Sequence, residues 1–412
     1  MIDAEDLRRT PNPLAQHYQR ARVGERLLLT GHSHQAWPDC AAEGQLEAFE
    51  HAARELDDKW EGAFAKADEV RTNFASWLGD TGAQLALGSN THELVIRFLS
   101  ALDLRRRPRL VTTDGEFHTI RRQTRRLSEA GLTVTIVPAA PADTLAERLA
   151  GTIDARTSAV LVSSVLFETA RIVPNLDQLA AACADAQTEL LVDVYHALGP
   201  VPTSLPDAGL ASAWVVGGGY KYLQLGEGNC FLRLPAHAQE LRPVITGWYA
   251  EFDTLADTHR EGQVPFGPGA TRFAGSTYDP TSHYRAARVF AFFREQGLTP
   301  ELLRTSYQHQ LHRLAERFDA LGAPAETITR DRATSLSEHG GFLALSTPHA
   351  AELKTALHDR GVLADSRDHY LRLGPAPYLS DHQLDTAVGL LGDALDSLPR
   401  AAAQGSTTRG AR

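Results

Sequence analysis

Cysteine is scarce: the 412 residues hold three, Cys40, Cys183 and Cys230. They are odd in number, widely spaced and make no Cys-x-x-Cys pair, which excludes a disulfide framework and fits a reducing compartment. Positive charge is in deficit, with 41 Lys and Arg against 51 Asp and Glu and a net charge of −10. Nucleic-acid binding needs a basic footprint, so no nucleic-acid partner is expected. No run approaches the roughly 18 apolar residues of a membrane span. The start, MIDAEDLRRT, has no apolar core for a signal peptide. No membrane partner is therefore expected, and the cytoplasm is the expected location. Internal repeats are absent too. What is present is ordinary for a globular enzyme, with 43% hydrophobic and 22% charged residues. That is apolar surface enough to exclude whole-chain disorder, and length enough for two domains.

Residues 1–40 read as an N-terminal arm and active-site loop, because Pro11 and Pro13 block a long helix and GHSHQAWPD (Gly31–Asp39) is rich in turn formers. Helical spacing runs from Ala41 to about Leu78, with Leu46, Phe49, Leu56, Trp60 and Phe64 near one face. Apolar runs then predict strands over 84–87, 109–112, 132–137, 159–165, 189–194 and 213–216. Helical stretches are predicted between most of them, over 93–104, 119–129, 144–150 and 176–186. Near-continuous apolar runs suit strands covered on both faces, and the βαβα order predicts a mostly parallel sheet flanked by helices. This large domain is expected over 41–280, closing with a Gly-, Pro- and Thr-rich loop at 262–280. A small α+β domain is expected over 281–398, with helices at 282–296, 300–321 and about 380–398. Residues 399–412 read as a disordered tail.

The chemistry gathers at strand ends. LLVDVYHALG (Leu190–Gly199) ends an apolar run in Asp193, with His196 three residues on. Ligands of open α/β sheets bind at such carboxyl ends, although Asp193 taken alone reads as a helix cap. WVVGGGYKYLQLGEGN (Trp214–Asn229) ends another run in three glycines, then Tyr220, Lys221 and Tyr222. It is no P-loop, which needs Ser or Thr after the lysine, and no GxGxxG joins the first strand to its helix. A lysine that forms a Schiff base, with an acid that keeps a pyridinium nitrogen protonated, is the signature of pyridoxal phosphate (PLP) chemistry. Lys221 and Asp193 are thus the catalytic candidates, Lys221 also moving a proton at the substrate's Cα. In LALGSNTHELVIRFL, Ser89, Asn90, Thr91 and His92 open a helix whose N–H groups and dipole favour a phosphate; the same residues also read as a plain cap. His32 and His34 lack an acid or Cys partner, so no metal is expected.

These motifs resemble the class V aminotransferase group of fold-type I PLP enzymes, and within it kynureninase, from Gly31 to about Leu379. The resemblance implies an α/β fold. A large PLP-binding domain would carry a mostly parallel seven-stranded sheet, beside a smaller α+β C-terminal domain. It also implies a homodimer with shared active sites. GHSHQAWP resembles the GNSLGLQP-like segment, which places Ser33 at its serine and His32 beside it at the substrate. Asn90, Thr91 and His92 match the phosphate loop. DGEFHT puts Phe117 against the cofactor ring. SSVLFETARIVPNL puts Ser163 and Ser164 near the ring hydroxyl and Glu168 towards the substrate. DVYHALG supplies Asp193 and His196, and YKY supplies Lys221 with Tyr220 on the phosphate. ITGWYAEF places Trp248 at the Trp of GWFGH, with Tyr249 beside it towards the substrate. FAGST brings Ser276 and Thr277 to a phosphate across the dimer. YLRLGPAPYLS places Arg372 at the arginine that holds the substrate's α-carboxylate.

The resemblance fails at the distal pocket. WEGAFAKADE near Trp60 lacks the family's His, Ile120 replaces an Asp, Glu168 a Tyr and Glu251 a His. The expectation is therefore a PLP-dependent enzyme that acts on an L-amino acid through an aldimine and a Cα carbanion. It would be a kynureninase-like side-chain lyase or hydrolase, with a class V aminotransferase or a β/γ-eliminating C–S lyase as the alternative. A persulfide-forming desulfurase is not expected, because no cysteine follows Cys230. The joint presence of Lys221, Asp193 and Arg372 opposes a non-catalytic binding module or an incidental lysine.

Overall fold

The computed structural model describes residues 2–256 and 262–398; the tail expected at 399–412 lies outside them. Its centre is a sheet of seven strands: β1 Gln84–Gly88, β2 Arg109–Thr113, β3 Thr133–Val137, β4 Thr157–Ser163, β5 Glu189–Asp193, β6 Trp214–Gly218 and β7 Cys230–Leu234. The spatial order is β1-β7-β6-β5-β4-β2-β3. Neighbours run parallel, except that β7 is antiparallel to both β1 and β6. Every residue of β4 and β6 is buried, as strands sandwiched between helix layers must be. The mostly parallel seven-stranded sheet expected above is thus present. Strand β7 is absent from the hydrophobic reading because Arg233 interrupts it. That guanidinium is buried because it bonds Asp80 at 2.7 and 3.0 Å and the carbonyls of Ala211 and Ala213 at 2.7 and 3.0 Å.

Six helices accompany these strands: α1 Cys40–Glu55, α2 Lys59–Trp77, α3 Thr91–Ser100, α4 His118–Glu129, α5 Leu145–Ala150 and α6 Leu176–Asp185. The single helix expected over 41–78 is split where Leu56 adopts φ +50. Its expected core face is also corrected. Leu46, Phe49 and Leu56 are 56–72% exposed. The buried face of α1 is instead Ala41, Gly44 and Ala48. It lies on α7 (Thr281–Gln296), so close that a Cβ on Gly44 would sit 2.7 Å from the Arg285 Cα. A stripe of small residues admits the neighbouring backbone, so the two helices pack closely enough for dispersion contacts along their backbones.

Helices α8 (Pro300–Ala320), α9 (Ala350–Asp359) and α10 (Asp381–Asp396) then accompany a second, antiparallel sheet. Its strands are β8 Thr329–Arg330, β9 Leu343–Ser346, β10 Asp365–Arg367 and β11 Tyr370–Leu373, ordered β10-β11-β9-β8. The N-terminal arm is stitched to this part: Leu27–Leu28 pairs in parallel with Val362–Leu363, and the Gly31 N–H donates to the Gly374 carbonyl at 2.7 Å. Gln35 continues the seam, donating to the Tyr307 hydroxyl and accepting from Gln224, each at 2.8 Å. The arm therefore joins the C-terminal sheet to the segment that follows Lys221. No helix among the described residues is long and apolar enough to cross a membrane.

Candidate active site

Strands β4 and β5 end side by side, with Ser163 in register with Asp193. The chain turns after Asp193, and the Tyr195 N–H donates to its Oδ1 at 2.8 Å. The Ser164 N–H and hydroxyl donate to the Asp193 carbonyl at 2.9 and 3.2 Å. Beside them β6 ends in glycines for a steric reason: a Cβ on Gly218 would lie 2.5 Å from the Tyr195 hydroxyl. The turn delivers Lys221 into the interior, 5% exposed. Its Nζ lies 2.7 Å from His196 Nε2. It also lies 4.9, 5.2 and 5.7 Å from the ring centres of Tyr195, Phe117 and Tyr220.

Burial governs the ionisation here. It pulls the Lys221 ammonium down to about 7, against the attraction of Asp193. Burial pushes the Asp193 carboxyl up, opposed by the Tyr195 N–H and by Lys221. His196 is held well below its usual range, chiefly by burial and then by Lys221, and its Nδ1 has no hydrogen-bond partner among the described residues. Across the cavity, Asn90 caps α3, accepting from the Glu93 N–H at 2.9 Å. The opening N–H groups of a helix lack intrahelical partners and favour an anion. Together these groups enclose about 280 Å³.

Asn90, Thr91, Phe117, Ser163, Asp193, His196, Tyr220 and Lys221 all line this cavity. Other expected site residues do not. His92 is exposed on the first turn of α3. Ser164 is spent on the Asp193 carbonyl. Ser33 contacts His34 at 3.2 Å, and Glu168 is half-buried just beyond Phe167, its carboxyl raised by burial and by Asp368. Trp248 and Thr277 bond each other at 3.3 Å. Thr277 and Tyr249 line a separate cleft of about 1130 Å³, which shares Ser89, Glu227 and Gly228 with the inner cavity. Trp60 joins the same neighbourhood, 5.9 Å from the Tyr249 ring. Ile120 is 1% exposed in the apolar core, so its difference from the family's Asp is one of packing and not of pocket lining.

Arg372 and His32 lie apart from the cavity lining, and Arg372 already has a carboxylate partner. Its Nη2 pairs with Asp365 and its Nη1 donates to the Phe167 carbonyl. Two buried acids escaped the sequence reading. Asp365 is one; the signal was a D–R pair spaced seven apart around a turn, which a hairpin sets face to face. Glu116 is the other, fully buried in DGEFHT. It accepts from the Thr113 hydroxyl at 2.7 Å, the Ser163 hydroxyl at 2.6 Å and the Ser163 N–H at 3.1 Å. Burial, with a contribution from the Asp193 charge, lifts it to about 7 against those three bonds. An acid next to the expected ring-stacking Phe117 was the available clue.

No family model matches the chain. It is similar to the uncharacterized aminotransferase YcbU of Bacillus subtilis, 21% identical over 88% of this chain and 95% of that protein. A kynureninase of Xanthomonas oryzae is 28% identical over 48% of this chain and 47% of its own length. The chain thus matches about half the length of that kynureninase. Among solved structures, a mutant of C-DES with glycine covalently linked to its PLP cofactor superposes with a TM-score of 0.78 at 17% identity, covering 92% of this chain and 99% of that one. The fold is that of the fold-type I PLP enzymes. In a fold-type I sheet the crevice beyond the carboxyl strand ends is where Lys221 and Asp193 stand.

Proposed function

We propose that this chain is a PLP-dependent enzyme of the class V kind that removes or hydrolyses the side chain of an L-amino acid, as a kynureninase does. One juxtaposition carries the reading: a buried lysine, its ammonium brought down to about 7, and a buried carboxyl share a 280 Å³ cavity bounded by a helix N-terminus. The donor set fits the cofactor. Lys221 would offer the amine and Asp193 would keep a proton on the ring nitrogen. Phe117 would cover a ring face, Ser163 would meet the ring hydroxyl, and Ser89, Asn90, Thr91 and Tyr220 would take the phosphate. His196, with its unpartnered Nδ1, backs Lys221. Bound PLP supplies an electron sink for the pair left at Cα. Lys221, whose ammonium burial brings down to about 7, removes and returns the proton at that carbon. Arg372 takes the α-carboxylate. The rim residues Trp248, Tyr249 and Thr277 serve the site of a second copy in a homodimer. The exposure of Val244, Ile245 and Trp248 (41–83%) on that rim supports this arrangement.

A C–S lyase is the second reading, favoured by the likeness to C-DES, described in another solved complex as a cystine C–S lyase. Incubation of the PLP-loaded enzyme with L-kynurenine or L-cystine decides between them. Anthranilate and alanine from kynurenine are the expected products. Pyruvate and a persulfide from cystine, with kynurenine untouched, would replace the first reading by the second.

A further inference from the structure

The inference rests on the reading of Arg372 as the carboxylate site. Asp365 and Arg372 stand directly opposite on β10 and β11 and pair in the interior. His32 Nε2 lies 3.5 Å from the same Asp365 Oδ2. The His32 ring packs against Phe342 at 4.5 Å, and neither ring nitrogen has a hydrogen-bond partner among the described residues. Its seat is made by Gly374, where a Cβ would fall 2.1 Å from His32 Nδ1. Arg367 approaches Asp365 Oδ1 at 3.6 Å from the other side. Lys221, His196, Tyr222 and Glu168 are further titratable groups that act on this cluster.

At rest the buried pair is balanced, the Arg372 guanidinium against the Asp365 carboxylate, while Arg367 reaches Asp365 from the solvent side with its own side chain 40% exposed. Burial, with Arg372 and Lys221 contributing and against the pull of Asp365, holds His32 down to about 3 and hence neutral. A substrate carboxylate would bring a second anion to one buried cation, an arrangement that burial penalises unless a charge changes. We propose that Asp365 is an internal stand-in which holds Arg372 until the substrate's carboxylate replaces it, and that His32 binds the compensating proton. The proton comes from water and adds to a free ring nitrogen of His32; no other covalent bond changes. The incoming anion offsets Arg372, the cation that opposed protonation of the ring. Asp365 and His32 are thus positioning residues that tie substrate affinity to pH.

The probe is propionate, a carboxylate without an amine to react, added to the PLP-loaded enzyme. The wild type should take up close to one proton per propionate, read with an indicator dye in weak buffer. Its affinity should fall close to tenfold per unit rise in pH, as linkage requires. Asp365→Asn should bind roughly tenfold tighter near neutrality, with no uptake and a flat pH profile. His32→Gln, which cannot be charged, should bind more weakly and also take up no proton. It keeps the test alive if Asp365→Asn fails to fold. Uptake and slope that persist in His32→Gln place the proton elsewhere and overturn the proposal. Arg372→Gln separates the two readings. Wild-type affinity in that variant, or no binding by the wild type, refutes Arg372 as the carboxylate site. Lost binding there, with uptake intact in His32→Gln, refutes only the role of the pair.

Discussion

The cavity around Lys221 and the cleft beside it share a wall yet are built differently. The inner 280 Å³ is formed by the ends of β4, β5 and β6 and the start of α3, so its ionisable groups are buried and displaced from their usual ranges. The outer 1130 Å³ is walled partly by residues 246–253 and 270–278 and partly by β1, α2, α3 and α7, with an aromatic cluster that includes Phe64, Tyr249 and Tyr278. Glu168, next to the cavity-lining Phe167, is half-buried and forms no ion pair among the described residues. Chemistry needs groups held rigidly and stripped of water, which strand ends provide. Selection among substrates tolerates loops, and two of the departures from the kynureninase pattern, Glu168 and Glu251, lie in connecting segments, whereas Ile120 and the segment after Trp60 lie on helices.

Breaking the inner region should have the largest effect. Lys221→Ala should lower turnover by on the order of 10³-fold or more, and the cofactor should no longer become fixed to the protein by borohydride, as followed by mass spectrometry. Asp193→Asn should follow with a loss of about 3–5 kcal/mol in the reacting state, measured as kcat. Wild-type rates in both would mean that the strand-end pair is structural. Glu116→Ala leaves the Thr113 and Ser163 donors unpaired and should destabilise the apo protein by about 3 kcal/mol in a denaturant titration; a shift below a few tenths would show that water replaces the carboxylate.

The pH dependence of cofactor capture sharpens the contrast. Only the uncharged amine attacks an aldehyde, and Lys221 loses its proton at about 7. Capture of PLP by the apo protein should therefore rise close to tenfold per unit below pH 7 and level off above it. A rate still climbing to about 10, as for an exposed lysine, would mean that burial does not set its ionisation. The smallest effect belongs to the rim. Trp248→Ala removes a rim residue from both sites of the proposed homodimer and should weaken PLP capture by only about threefold, since Trp248 lies outside the cavity lining of its own chain. A loss as large as that of Lys221→Ala would make the partner's rim a main part of the cofactor site.

The inner site was largely legible because its residues sit next to strong local patterns. Asp193 and Lys221 each close an apolar run, and Asn90 and Thr91 open a helix. The misses share a different cause. Arg233 hid strand β7 because a guanidinium reads as surface until Asp80, 153 residues away, is placed against it. Leu46 and Phe49 were assigned to a core that the small residues of α1 occupy. Glu116 and Asp365 stood inside quoted motifs, but an acid reads as solvent-facing until its donors are known.

Hydrophobic periodicity and glycine-terminated strands were sufficient for the α/β order, the parallel sheet and the lysine–aspartate pair, because these follow from neighbours in the chain. The charge states and the partner of Arg372 were not. They depend on which groups folding removes from water together, His32 from the arm with Asp365 and Arg372 from a hairpin more than 300 residues later. Desolvation and Coulomb interaction act through space, and only the assembled fold sets those distances.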